Sequence, residues 1–263
     1  MMPQNDRQHP RRREAPPNEL SGLSVLAVDA GNTRIKWGLH ADGGWLAQGW
    51  TATAQPQLDI QWSQLPTPRK IIISNVGGNA IAQLIMNASV KWKIAPSIIK
   101  AQPDQCGVHN GYAMPLQLGS DRWAALIAAR HLYPERDVLV VQAGTAVTID
   151  ALAADGCFRG GMILPGLQLM LDSLARNTAG LAPQRGKLAI FPDNTADAMF
   201  SGAANAIAGA VERSYRVLAT QPVCLLSGGD TDILLPLLGI PVQPADNLVL
   251  EGLLRIAFEP EKE

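Results

Sequence analysis

The sequence predicts an α/β protein built from two related halves that face each other across a cleft. Strands and helices alternate along the chain, and each half opens with three short extended runs. The two openings are also copies of one another. VLAVDAGNTRIKWGLHADG (25–43) lies over VLVVQAGTAVTIDALAADG (138–156) at a constant spacing of 113 residues (138 − 25). Identities fall at Val25/Val138, Leu26/Leu139, Val28/Val141, Ala30/Ala143, Gly31/Gly144, Leu39/Leu152, Ala41/Ala154, Asp42/Asp155 and Gly43/Gly156. Nine matches in 19 ungapped positions exceed what composition supplies.

Taken in order, residues 1–22 carry Pro3, Pro10, Pro16, Pro17 and Arg11-Arg12-Arg13 with a single large aliphatic, Leu20, so they are expected to be a disordered tail. The first half, 23–135, starts with an apolar strand, a Gly-containing turn, a second strand, an Asp-Gly hairpin signal and a third strand at Trp45–Gly49. Lys70–Val76 then reads as a buried strand, Asn79–Ala88 as a helix, Ser97–Lys100 as a short strand and Asp121–Leu132 as a helix. The second half, 136–258, repeats the meander through Cys157–Ile163. Pro165 is placed to start a helix running to Arg176. Apolar residues at helical spacing mark Thr195–Ala219 as a helix capped by Asn194 or Asp193. A strand at Val223–Leu226 ends in Ser227-Gly228-Gly229-Asp230, and a last helix, Asn247–Phe258, is capped by Asp246. A ligand belongs in the cleft, where the matching turns converge.

A formal net charge of −1 gives no global field to attract nucleic acid or an anionic membrane. No apolar run approaches a bilayer span, and no secretory signal is evident, so a cytoplasmic location is expected. Cys106, Cys157 and Cys224 are odd in number and far apart, which reads as buried or incidental thiols rather than a disulfide or zinc framework. The four His residues show no metal-ligand spacing, and no Walker-type Gly-Lys-Ser/Thr loop is present.

Anion recognition is therefore local. In the turn Asp29-Ala30-Gly31-Asn32-Thr33-Arg34-Ile35-Lys36, Gly31 allows close backbone approach, Asn32, Thr33 and the turn amides can donate to phosphate oxygens, and Lys36 can neutralise charge. Asp29 could hold a hydrated Mg²⁺ against those phosphates. Alone, the stretch also reads as a plain hairpin turn; the repeated Gly144-Thr145-Ala146 favours a clamp on a nucleotide triphosphate. Gly119-Ser120-Asp121-Arg122 opens a helix. Ser120 suits an N-cap and Asp121 suits the helix dipole, or Asp121 accepts the proton of a substrate hydroxyl while Arg122 holds an anionic group. Tyr112, in Gly111-Tyr112-Ala113-Met114-Pro115, either lines a substrate pocket or packs. The glycines of Gly160-Gly161-Met162-Ile163-Leu164-Pro165-Gly166 mark either close backbone approach or core packing.

Together these stretches, spanning about Leu23 to Ala257, resemble the type III pantothenate kinase (Bvg accessory factor) family. The carriers are Asp29-x-Gly31-Asn32-Thr33-x-x-Lys36, Gly111-Tyr112-x-x-Pro115, Gly119-x-Asp121-Arg122-Trp123, Gly144-Thr145-Ala146-x-Thr148-x-Asp150, Gly160-Gly161-x-Ile163-x-Pro165-Gly166, and Asn194-Thr195 followed by Gly202. The resemblance implies two ribonuclease H-like domains of the actin, Hsp70 and acetate/sugar kinase type flanking a cleft, and ATP-dependent phosphorylation of pantothenate, the first step towards coenzyme A. It implies ATP on Asp29 to Lys36 and Thr145, and pantothenate at Tyr112 and Gly119 to Arg122, with Asp121 as proton acceptor. It also implies Thr195 reaching pantothenate from the other subunit of a homodimer, together with Mg²⁺ and a monovalent cation, K⁺ or NH₄⁺.

One position departs. The family's motif has Asp, its monovalent-cation ligand, where this chain has Gln142, the repeat counterpart of Asp29. An amide oxygen can still ligate K⁺, but without that charge the cation should bind more weakly, which leaves open a kinase with altered cation dependence, a weak kinase, or a binding or regulatory protein on the same scaffold. A kinase for another hydroxylated substrate is a further alternative, which Tyr112 and Gly119 to Arg122 disfavour.

Overall fold

The computed structural model describes residues 23–178, 181, 185–218 and 221–260, so the expected tail at 1–22 lies outside the described residues. Val25–Ala30 (β1) is buried along nearly its whole length, as a central strand flanked on both faces must be. Arg34–Ala41 (β2) and Gly44–Ala52 (β3) follow antiparallel. They are joined at Asp42-Gly43, whose φ values of 52° and 81° are the two left-handed residues that a two-residue hairpin requires. Leu58–Trp62 (α1) leads to Lys70–Asn75 (β4), which pairs parallel to β1. Asn79–Ser89 (α2) and Ser97–Ile98 (β5) complete a sheet of order β3-β2-β1-β4-β5.

Asp104–Gln105 (β6), Val108–Asn110 (β7) and the helix Ser120–Leu132 (α3) come next. Val138–Ala143 (β8), Ala146–Leu152 (β9) and Cys157–Pro165 (β10) form the second meander. Leu167–Asn177 (α4), Thr195–Leu218 (α5), Val223–Ser227 (β11), Thr231–Leu234 (α6), Val242–Pro244 (β12) and Leu248–Phe258 (α7) follow. The second sheet runs β12-β11-β8-β9-β10-β7-β6, so its first five strands repeat the order of the first sheet, and β7 and β6 extend it beyond β10.

Strand alternation divides the core into layers. Val25 and Ala27 of β1 and Val138 and Val140 of β8 point into one shared cluster containing α3 and α7. Leu26 and Val28 point the other way, under α1 and α2. Leu139 and Val141 point outward under α4 and α5. The two sheets therefore hold α3 and α7 between their inner faces, and Trp45 Nε1 fastens the first hairpin to α7 by donating to Glu251 Oε1 at 2.9 Å.

Several boundaries differ from the sequence reading. Pro165 does not open a helix: it is the last residue of β10, opposite Ala146, and α4 starts at Leu167 because Gly166 N is drawn to Thr145 O at 2.9 Å. Asn247, with φ 53°, stands at the N-cap of α7 in place of Asp246. Asn194 is the cap of α5, its Oδ1 accepting from Asp197 N at 3.0 Å. Ser120 is inside α3 and Gly119 holds the N-cap; the Ser120 Oγ is instead paired with Ser74 Oγ of β4 at 2.9 Å.

Candidate active site

The inner faces of the two sheets converge at the start of α3, and the register decides which side chains meet there. Asp29 follows Val25 and Ala27 on the inner face of β1, with Lys36 opposite it on β2 and Ser74 on β4. On the second sheet Gln142 follows Val138 and Val140, with Thr148 opposite it on β9 and Ser227 on β11. The second turn is one residue shorter, since Asp29 pairs with Lys36 but Gln142 with Thr148. The constant spacing in sequence is therefore not constant register: Lys36 has Thr148, not Ile149, as its counterpart. The row carboxylate, ammonium, hydroxyl in one half becomes carboxamide, hydroxyl, hydroxyl in the other.

The two turns touch. Gly31 N donates to Arg34 O at 3.0 Å and Gly144 N to Ala146 O at 3.1 Å, closing each turn. Thr33 Oγ1 and Thr145 Oγ1 are hydrogen-bonded at 2.7 Å across the halves. Asn32, Thr33, Arg34 and Thr145 are exposed. The Arg34 guanidinium lies 4.5 Å from the centre of the Trp50 ring, which fixes its long side chain beside the turn. Ala30 and Ile35 are fully buried in the outer core, so they can offer a nucleotide their backbone alone.

Asp121 and Arg122 open α3 but face different partners. Asp121 Oδ1 accepts from Arg122 N at 2.8 Å, and a side chain at position 119 would place a Cβ 2.5 Å from that oxygen, so only glycine leaves the carboxylate its place. Burial raises the Asp121 pKa above the ordinary carboxylate range, opposed by the Arg122 backbone N–H and charge. Arg122 is itself 4% exposed and does not point at solvent. Its Nε donates to Asp150 Oδ1 and Oδ2 at 3.1 and 3.0 Å, its Nη2 closes a short contact to Oδ1, and its Nη1 donates to Tyr112 Oη at 3.1 Å. The Tyr112 ring packs on Phe158 with centroids 5.2 Å apart. Arg122, read from sequence as an anion holder, is thus committed to Asp150 and Tyr112. Burial works against the charged guanidinium, but the Asp150 contacts outweigh it and raise its pKa.

Asp150 is the participant that the sequence reading left unassigned. It is fully buried, on the inner face opposite Val140. The signal available was a lone acid in an otherwise apolar strand, VTID, since such a group must find a buried partner. Gly161 makes the pair possible: a Cβ there would meet Ile149 O at 2.6 Å and Arg122 Nη2 at 2.8 Å, and the Asp150 carboxylate closer still. Gly161→Ala is therefore expected to lower stability by roughly 1–3 kcal/mol, measured by urea denaturation, because backbone and a buried ion pair must both shift.

Asp29 sits close enough to Asp121 for the two charges to couple. Burial pushes the Asp29 pKa up to about 7, with Lys36 pulling it down and Asp121 pushing it up. A divalent ion relieves such a clash, and one carboxylate with phosphate oxygens and waters suits Mg²⁺. Among the described residues no three His, Cys, Asp or Glu side chains converge as an all-protein metal cage. The second turn offers a monovalent cation no carboxylate: Gln142 has a neutral amide whose Nε2 is buried with no hydrogen-bond partner and whose Oε1 is the one atom with lone pairs for a cation. Thr195 is exposed at the start of α5, on the outer face of the second sheet, whereas Asp121 is on the inner side.

The chain matches the family model for type III pantothenate kinase over residues 25–217. It is 48% identical over 240 residues to the type III pantothenate kinase of Nitrosospira multiformis, covering 89% of this chain and 91% of that protein. It is 48% identical over 239 residues to that of Aromatoleum aromaticum, covering 89% and 98%. Among solved structures, the activator of the 2-hydroxyisocaproyl-CoA dehydratase from Clostridium difficile, with bound ADPNP, matches at a TM-score of 0.53 and 12% identity over 90% of this chain and 93% of that one. At that identity the likeness speaks to fold alone, and the fold is the ribonuclease H-like class that the family resemblance implies.

Proposed function

The chain belongs to the type III pantothenate kinase family, and on that premise we propose how its residues divide the transfer of a phosphoryl group from ATP to pantothenate. The reaction forms a bond from the pantothenate hydroxyl oxygen to the γ-phosphorus and breaks the bond to ADP. Such transfers need positioning and charge neutralisation more than covalent help from the protein. The single observation that carries the assignment is the convergence of Asp29, Lys36, the paired Thr33 and Thr145 turns and Asp121 at one end of the inner layer.

In this reading Asp121 takes the hydroxyl proton. Lys36 and the turn amides from Ala30 to Arg34, with Thr145, hold the phosphates. Asp29 holds Mg²⁺, which supplies charge neutralisation to the phosphates when bound. Pantothenate lies along Gly119 to Arg122 with Tyr112 as a wall, and Arg122 acts by fixing Tyr112 rather than by gripping the substrate directly. Thr195, on the opposite face of the second sheet from Asp121, serves the site of a second copy, which supports a homodimer. A cytoplasmic protein with no nucleic-acid or membrane partner suits this chemistry; among the described residues no helix is long and apolar enough to cross a membrane.

A coupled ADP-release assay with ATP, Mg²⁺ and pantothenate tests the reading. ADP release that depends on pantothenate is the expected result. ADP release absent with pantothenate but present with another small alcohol would move the assignment to a different substrate.

A further inference from the structure

We propose that Ser74 is a positioning residue for the proton transfer: its hydroxyl ties the start of α3 to the first sheet while Arg122 ties it to the second, so that Asp121, between the two ties, is placed by both halves at once. The inference rests on the kinase reading above, with Asp121 as the proton acceptor.

It stands on three observations. Ser74 Oγ of β4 and Ser120 Oγ of α3, 46 residues apart in sequence, are hydrogen-bonded at 2.9 Å, and both side chains are buried. Two residues further along the helix, Arg122 Nε donates to both carboxylate oxygens of Asp150 on β9 at 3.1 and 3.0 Å. The residue between them is Asp121, so the first turn of α3 is strung between the two sheets with the acceptor at its middle. Second, no side chain at the N-cap fixes that turn, because Gly119 holds the cap. A serine at a helix start ordinarily turns its hydroxyl to the backbone amides of its own turn, whereas Ser120 turns its hydroxyl to another strand. Third, Ser74 is the ladder partner of Asp29 on the inner face, and Asp29 is close enough to Asp121 for their charges to couple. The tie at Ser74 therefore sets the separation between the carboxylate assigned to Mg²⁺ and the one assigned to the proton. Stability alone does not call for the pair, since replacing two bonded hydroxyls by apolar groups of the same shape is nearly neutral. Placement of the acceptor does, because a shift of about 1 Å can cost roughly 10²-fold in rate.

The full chain is assayed for pantothenate-dependent ADP release with ATP and Mg²⁺ as wild type, Ser74→Ala and Ser74→Ala/Ser120→Ala, each with and without Asp121→Asn. Urea denaturation and calorimetric titration with ADP accompany each. Ser74→Ala is expected to lower kcat roughly 10–100-fold with ADP affinity near that of wild type. It should also unfold at lower urea, because Ser120 keeps a buried hydroxyl without its partner, and the double serine variant should regain that stability without regaining kcat. Added to Asp121→Asn, either serine change should lower kcat by no more than about twofold, since no acceptor is then left to place. A merely structural role would lower kcat by the same factor in both backgrounds, and that result overturns the proposal. So does a folded Ser74→Ala with wild-type kcat, or one whose ADP affinity falls as far as its kcat. If Ser74→Ala does not fold, the double serine variant carries the same comparison. A wild type that releases no ADP on addition of pantothenate would overturn the kinase reading and the proposal with it, which none of the serine results does.

Discussion

Asp121→Asn is expected to lower kcat for pantothenate phosphorylation by about 10²–10⁴-fold while leaving ADP affinity near wild type. The carboxylate stands at the first turn of α3, held by the Arg122 backbone N–H at 2.8 Å and given its space by Gly119. Asn keeps the size and loses the ability to accept a proton. The pH profile provides a second readout. A base must be deprotonated to act, and burial raises the Asp121 pKa. Activity should therefore rise with pH through that raised pKa, placing the acid limb of kcat/KM above the ordinary carboxylate range, and fall off below it as Asp121 takes up a proton. The Asn variant should lose the limb that belongs to Asp121 and keep the one set by Asp29, whose pKa is pushed up to about 7 and which must be ionised to hold Mg²⁺. Turnover that survives the substitution would assign the proton to another acceptor.

The sequence carried the fold through features that are local or repeated. The β-branched runs, the Asp42-Gly43 hairpin and the internal repeat all survive into the structure because strand period and turn chemistry act over a few residues. What escaped was set by partners far along the chain. Pro165 ends β10 opposite Ala146, and the next residue, Gly166, donates its N–H to the Thr145 carbonyl. The short strands β6 and β7 exist because β10 offers an edge. The one-residue shortening of the second turn was invisible, because identities on both sides keep the same spacing in sequence while the strands slip in register. The candidate site divides the same way. Asp29, Lys36, Thr145 and Asp121 were legible from turn and helix-start signals. The role of Arg122 was not, because its neighbour Asp121 looks like its natural partner and the actual one, Asp150, lies on a strand 28 residues on.

Asp150→Ala is expected to cost about 3–5 kcal/mol of stability, close to the whole margin of many domains, and to abolish activity with it. The cost comes from what stays behind: Arg122, 4% exposed, would keep a buried positive charge with the Tyr112 hydroxyl as its remaining side-chain hydrogen-bond partner. Removing both charges separates stability from function. Arg122→Met/Asp150→Leu leaves neither ion buried, and replacing a buried pair by apolar groups is often near neutral. The double variant should recover most of the lost stability in urea denaturation, short of wild type by roughly 1 kcal/mol for the unpaired Tyr112 hydroxyl. Its turnover should stay low with a raised KM for pantothenate, since the Tyr112 hydroxyl then loses the guanidinium that fixes it. If Asp150→Ala unfolds no more readily than wild type, the pair is not sealed from water as its geometry indicates. If the double variant regains full turnover, Arg122 positions nothing that the reaction needs.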